Sequence, residues 1–256
     1  MTVAGIAFTT ATILVAVAVL LFAGTVKGTL GFGVGVSSLP LLMLVFPTKT
    51  ALAVLTIPFV ITNLSVLYRD GVPWRFLRSH AVFLVLLAAA TVVGSYSLAV
   101  LPVRAVYAIV SLYLFGFLLF RRYDEGVYAY ADRRGVSTAA GTAGGFLGGA
   151  LGMPGPPLIT YTYLKVAGDK RLFVTGLSSM FVVTYGMRLP ALFSAHMFGA
   201  DELLLGGIAT LPLLAGVYFG THVRDRTPRR RFESFVELFI LVVAVKIGLD
   251  ALGVAL

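Results

Sequence analysis

The stretch Gly28-Thr-Leu-Gly-Phe-Gly-Val-Gly-Val-Ser-Ser-Leu-Pro-Leu-Leu42 decides how this chain is read. Four glycines, two serines and a proline interrupt an otherwise apolar run. Each interior glycine costs a helix about 1 kcal/mol relative to alanine, and an interior proline costs about 3 kcal/mol. The setting makes that expense informative. Of 256 residues, 59% are hydrophobic and only 12% charged, and the mean hydropathy is +0.97. Soluble domains carry about 25% charged residues. Ile6 to Val26 and Ala81 to Leu101 carry no charge at all, and each approaches the roughly 20 apolar residues that cross a bilayer. The ten-residue alternation of a membrane β-barrel is absent. The expected class is an all-α polytopic membrane protein, and the break in question falls inside its apolar part.

Hydropathy marks ten segments: 6–26, 30–46, 51–67, 81–101, 103–120, 136–151, 156–167, 172–193, 203–221 and 232–256. The second, sixth and seventh are short for a full crossing. The first lacks a basic leader and is read as a retained helix rather than a signal peptide. Fifteen of the twenty Lys and Arg residues fall in four connections, at 69–80, 121–134, 165–171 and 224–231. If every segment crosses, those four share one side, which the positive-inside rule makes cytoplasmic. A multi-pass plasma-membrane protein with both termini outside follows. The net charge of +9 is then a topology signal and no nucleic-acid partner is expected. The absence of cysteine excludes disulfides and thiolate chemistry, and no cofactor or metal is expected.

The opening stretch has an echo in Gly148-Gly-Ala-Leu-Gly-Met-Pro-Gly-Pro-Pro-Leu158. A shift of about 121 residues places Gly28, Leu30 and Gly31 on Gly149, Leu151 and Gly152. The expected organisation is a first repeat over 1–120, a cytoplasmic connection over 121–135, and a second repeat over 136–256. The loop charges of the two halves are opposite, and each half has an odd number of segments, so the second enters the membrane inverted. Broken or re-entrant helices are expected near the start of each repeat.

Unpaired backbone is tolerated in hydrocarbon only where protein or water surrounds it, and Gly/Pro-interrupted segments in matching places of two halves point to a substrate site. A helix restarting after Gly31, Gly33 and Gly35 would aim free N–H groups and its positive dipole end at an anion, with Ser37 and Ser38 as donors. Gly152, Pro154 and Gly155 would serve the second half, with Thr160 and Tyr161 supplying hydroxyls. The plainer reading is close helix packing, which suits Gly24-x-x-x-Gly28, Gly141-x-x-x-Gly145 and Gly148-x-x-x-Gly152. Asn63, Ser178 and Ser179 either line a path or bond between helices. Arg188 is either a functional intramembrane charge or a side chain snorkelling to the interface. Lys27 and Lys246 are read as snorkelling, and Tyr163 and Tyr185 as members of an interfacial belt that could also take in Tyr161.

In order, these features resemble the TauE/SafE family, the sulfite exporter or toluene-sulfonate uptake permease family. The resemblance is carried by the glycine stretch ending in Pro40-Leu-Leu42, the exit Tyr68-Arg-Asp-Gly-Val-Pro-Trp74, the second stretch from Gly145 to Leu158, and a later helix bearing Arg188. It implies a secondary transporter of small sulfur-containing anions such as sulfite, sulfoacetate or other organosulfonates. Export by alternating access is the expected mode, since an inside-negative potential drives an anion outward, while uptake would need a coupling proton or sodium ion. An anion channel, or an uptake carrier for another small carboxylate or oxyanion, is the alternative. An enzyme is not expected: His80, His196 and His222 are isolated, and neither H-E-x-x-H nor G-x-S-x-G is present.

Overall fold

The computed structural model describes residues 2–3, 6–7, 9–122, 134–166, 169–224 and 229–253. Most of the 121–135 connection and the middle of the 224–231 connection lie outside the described residues. A two-residue antiparallel pairing, β1 (Thr2–Val3) with β2 (Ile6–Ala7), precedes the helices. The first half continues with α1 (Thr10–Leu30), α2 (Val34–Met43), α3 (Thr48–Val54), α4 (Thr56–Asp70), α5 (Trp74–Ser79), α6 (Ala81–Val100) and α7 (Val103–Arg122). The second half contributes α8 (Arg134–Leu151), α9 (Gly155–Lys165), α10 (Lys170–Ser194), α11 (Ala200–Arg224) and α12 (Arg229–Leu252).

Among the described residues each of the ten apolar segments contains helix, the third split by a turn at Leu55. The first starts at Thr10 rather than Ile6 because a capping box stops it. The Thr9 hydroxyl accepts from the Thr12 amide at 3.2 Å, and the Thr12 hydroxyl accepts from the Thr9 amide at 2.9 Å. Hydropathy is blind to such a cap. Among the described residues, five helices are long and apolar enough to cross a membrane: Thr10–Leu30, Thr48–Asp70, Ala81–Val100, Lys170–Ser194 and Ala200–His222. By contrast α2 has 10 residues and α9 has 11, a rise of only about 15 Å at 1.5 Å per residue. Large apolar side chains stand exposed along the long helices, among them Leu14, Val82, Leu112 and Leu211. In water such surfaces would be a liability, while in lipid they are solvated. The chain is an all-α, multi-pass membrane protein.

The helices form two compact units. One comprises Met1–Pro58, Leu101–Leu119 and Met197–Leu256, and the other Phe59–Val100 and Phe120–His196. Each therefore draws helices from both halves of the sequence. In the first unit α1 packs on α11 through bare backbone. A Cβ on Gly28 would lie 2.9 Å from the Gly220 Cα, and one on Gly216 would lie 3.0 Å from the Gly24 Cα. The Thr29 hydroxyl crosses this seam to donate to the Gly220 carbonyl at 3.2 Å. Elsewhere in the unit the Ser111 hydroxyl of α7 donates to the Ala244 carbonyl of α12 at 2.9 Å.

In the second unit α8 packs on α6 in the same register. A Cβ on Gly24 would strike the Leu213 carbonyl, and one on Gly145 the Leu87 carbonyl; Gly28 meets Val217 where Gly149 meets Thr91; Gly220 meets Thr25 where Gly94 meets Phe146. Partners on α1 and α8 are always 121 positions apart, and those on α11 and α6 always 126 apart. The packing reading therefore holds for Gly24, Gly28 and Gly145, whereas Gly152 of the third pair lies beyond the end of α8 in a left-handed turn.

Candidate functional site

Both interruptions fall where the sequence places them. α1 stops at Leu30 and the chain turns at Gly31 (φ 87°), whose amide donates to the Lys27 carbonyl at 2.7 Å. Gly33 (φ 98°) then opens α2. α8 stops at Leu151, and Gly152 (φ 67°) makes the matching turn, its amide donating to the Gly148 carbonyl at 3.0 Å. A Cβ on Gly31 would meet nothing within 4 Å, so conformation alone demands glycine there. Left-handed backbone costs other residues about 1–2 kcal/mol. Gly31→Ala is thus expected to lower stability by about that amount, whereas Gly116→Ala on α7, equally uncrowded and helical, should raise it by roughly 0.5–1 kcal/mol. Thermal unfolding in detergent would read both.

The two restarts differ chemically. The four amides without an intrahelical partner at the start of a helix are those of the N-cap and the next three residues. For α2 these are Gly33, Val34, Gly35 and Val36, four donors with no side-chain cap in front of them. For α9 they are Pro154, Gly155, Pro156 and Pro157, so only Gly155 has an N–H to give. The hydroxyls differ as well. Ser37 and Ser38 are buried, but Ser37 donates to the Gly33 carbonyl at 2.7 Å and Ser38 to the Val34 carbonyl at 2.7 Å. Both protons are committed to their own helix, and a ligand role for either requires a turned hydroxyl. On α9, Thr162 donates to the Leu158 carbonyl at 2.7 Å. The Thr160 hydroxyl is buried with no partner among the described residues. Leaving such a group unsatisfied costs about 1–3 kcal/mol.

Arg188 is fully buried, which removes the snorkelling alternative. Its Nε donates to the Gly149 carbonyl at 2.9 Å. That oxygen belongs to the last turn of α8, where carbonyls lack helical partners and the dipole end is negative. One turn earlier on α10, the Tyr185 hydroxyl donates to the Gly152 carbonyl at 3.1 Å. One face of α10 thus holds both the end of α8 and the turn that follows it. Tyr185 is buried and does not belong to an interfacial belt, in contrast to the sequence reading; Tyr163 is exposed and fits one. A signal for Tyr185 was available: Phe181-Val-Val-Thr-Tyr185 parallels Phe59-Val-Ile-Thr-Asn63 at a shift of 122. The two copies meet in this unit, with the Phe59 and Tyr185 rings 5.1 Å apart.

The remaining candidates scatter around this core. Tyr161 is buried in an aromatic stack, parallel to Phe83 at 3.7 Å and edge-on to His80 at 5.6 Å. Asn63 is buried and its amide donates within α4, to the Phe59 carbonyl at 2.7 Å. Ser178 is buried on α10, and neighbouring Ser179 donates to the Thr175 carbonyl at 2.8 Å, within its own helix rather than between helices. In the other unit, Lys27 is buried in the last turn of α1, so the snorkelling reading does not describe it. Lys246 pairs with Asp250 one turn on, at 2.6 Å. No cluster of three His, Cys, Asp or Glu capable of holding a metal occurs among the described residues.

Apolar crossing helices and two half-length helices, each opening after a left-handed glycine, define a multi-pass membrane protein with interrupted segments. Comparison with known families makes this specific. Residues 16–247 match the family described as Sulfite exporter TauE/SafE, nearly the whole chain, and the protein belongs to that family. Neither a curated protein nor a solved structure matches it.

Proposed function

We propose that the protein is a secondary transporter that exports small sulfur-containing anions, sulfite or an organosulfonate, across the plasma membrane by alternating access. The proposal includes two inverted repeats, 1–120 and 136–256, with both termini outside. The identical register of the α1–α11 and α8–α6 seams supports the repeat, and the opposed loop charges support the inversion.

The observation that carries the function is the pair of interrupted helices, each with a left-handed glycine at the break and a buried cation nearby. The four amides opening α2 are the donors best suited to an oxyanion, with Lys27 as positive charge in the same unit. At the second break the prolines have removed most of that capacity. Thr160 and Gly155 are left as donors, with Arg188 as charge. No Asp or Glu occurs from 134 to 168 or from 170 to 200, so the charged side chains within these two stretches are all basic. Anions are favoured on both counts.

Reconstituted protein in vesicles tests this directly. Saturable flux of sulfite or sulfoacetate, with sulfate and thiosulfate as comparators, is the expected result. Linear, unsaturable conductance would instead indicate a channel, and flux requiring an imposed proton or sodium gradient would indicate coupled uptake. Thr160→Val should leave stability unchanged or improved, because an unsatisfied buried hydroxyl is removed, yet cut flux about tenfold. Full flux in that variant would remove Thr160 from the site.

A further inference from the structure

We infer that the corner of the second unit formed by the end of α4, the turn into α5 and the start of α10 is a binding surface for anionic phospholipid headgroups. Its sequence segments, 69–80 and 165–171, hold six Lys or Arg residues against two Asp. Asp70 is already claimed: Arg69 grips its carboxylate through two contacts of 3.0 and 2.9 Å, and Arg171 donates to its carbonyl at 2.8 Å. That second bond ties α10 to the end of α4.

Helix α5 is mounted on α10 by one residue. Phe76 is buried so closely against Gly176 that a Cβ there would lie 3.0 Å from its ring. With Phe76 turned inward, Trp74, Arg75 and Arg78 are exposed, and neither arginine has an acidic partner among the described residues.

The occupant follows from what borders these cations. Ile61, Leu64 and Tyr68 are exposed at helical spacing along one face of α4. This stripe is apolar until it reaches Tyr68, 95% exposed, and the basic segment begins at the next residue. Trp74, the only tryptophan of the chain, is 64% exposed beside the arginines. Apolar side chains, then Tyr and Trp, then Arg is the order in which a bilayer presents acyl chains, interface and headgroup phosphates. An acidic protein segment would match the charge, but it would leave the apolar stripe and the indole without a purpose.

Native mass spectrometry of the detergent-solubilised protein, titrated separately with phosphatidylglycerol and phosphatidylcholine, tests the surface. Phosphatidylglycerol should bind about tenfold more tightly, since each cation near an anionic headgroup contributes appreciably. Arg75→Ala with Arg78→Ala should reduce that preference to about twofold or less. The corresponding double lysine variant and Arg104→Ala, an exposed arginine of the other unit, should both keep it. In the wild type the preference should shrink as salt rises, because exposed charges are screened. Equal binding of the two lipids by the wild type overturns the proposal, as does a preference insensitive to salt or retained in the double alanine variant. An acidic peptide competing as well as phosphatidylglycerol would reassign the surface to a protein.

Discussion

Arg188→Ala is expected to lose anion flux by about 100-fold or more and to unfold at lower temperature than the wild type. The side chain has no exposed surface, and its Nε donates to the Gly149 carbonyl at the end of α8. Truncation removes a charge-assisted hydrogen bond, leaves that oxygen buried without its donor, and takes a cation from the negative end of a helix dipole. Hydrogen bonds to charged groups contribute about 1.5–3 kcal/mol, and an orphaned buried acceptor adds about 1–3 kcal/mol. Measured stability should therefore fall by about 3 kcal/mol.

Arg188→Lys separates the two roles. A single ammonium can satisfy one carbonyl but cannot offer the planar fork that matches an oxyanion. If Arg188 contacts substrate, stability returns while transport stays impaired, with a raised half-saturation concentration. Recovery of both would reduce Arg188 to a positioning residue that closes the α8 helix. Tyr185→Phe offers a milder comparison, since it removes only the bond to the Gly152 carbonyl.

The second large effect concerns the glycine seams. Gly28→Leu and Gly149→Leu are each expected to abolish recovery of folded protein from detergent, because their Cβ atoms would overlap partner backbone, at the Val217 and Thr91 carbonyls respectively. Backbone cannot move aside as a side-chain tip can. The helices would have to separate along the whole seam, at a cost above the roughly 1–3 kcal/mol of ordinary overpacking and a large fraction of the roughly 5–15 kcal/mol that keeps a typical domain folded. Because the two seams share one register, the two substitutions should be equally severe. A tolerated substitution at one site beside a lethal one at the other would argue against equivalent halves. Gly207→Leu on α11, where nothing lies within 4 Å, is the harmless control.

Much of this molecule was legible in one dimension because the deciding quantities are local. Whether a run is apolar for 20 residues, and whether glycine and proline interrupt it, depends on the residues of that run alone. The ten apolar segments and both breaks follow from such sums, with errors where a single cap decides, as at Thr9. The halves could be matched because duplicated packing needs glycine at duplicated places. The poverty of amides at the start of α9 was also written in the run Pro154-Gly-Pro-Pro157, but its meaning depended on knowing which residue is the N-cap.

Partner choice was not local, and there only the tertiary structure could decide. Sequence alone left Arg188 between snorkelling and burial, and placed Tyr185 and Lys27 at an interface they do not occupy. The spans carrying them are apolar enough to sit at several depths and rotations, and a neighbouring helix end settles which one is adopted. The same holds for Ser37 and Ser38, whose protons go to carbonyls of their own helix, and for Thr160, whose hydroxyl is left over. A hydropathy sum fixes where a helix lies along the chain. The direction of each polar side chain is fixed by which unsatisfied backbone group the fold brings within 3 Å of it.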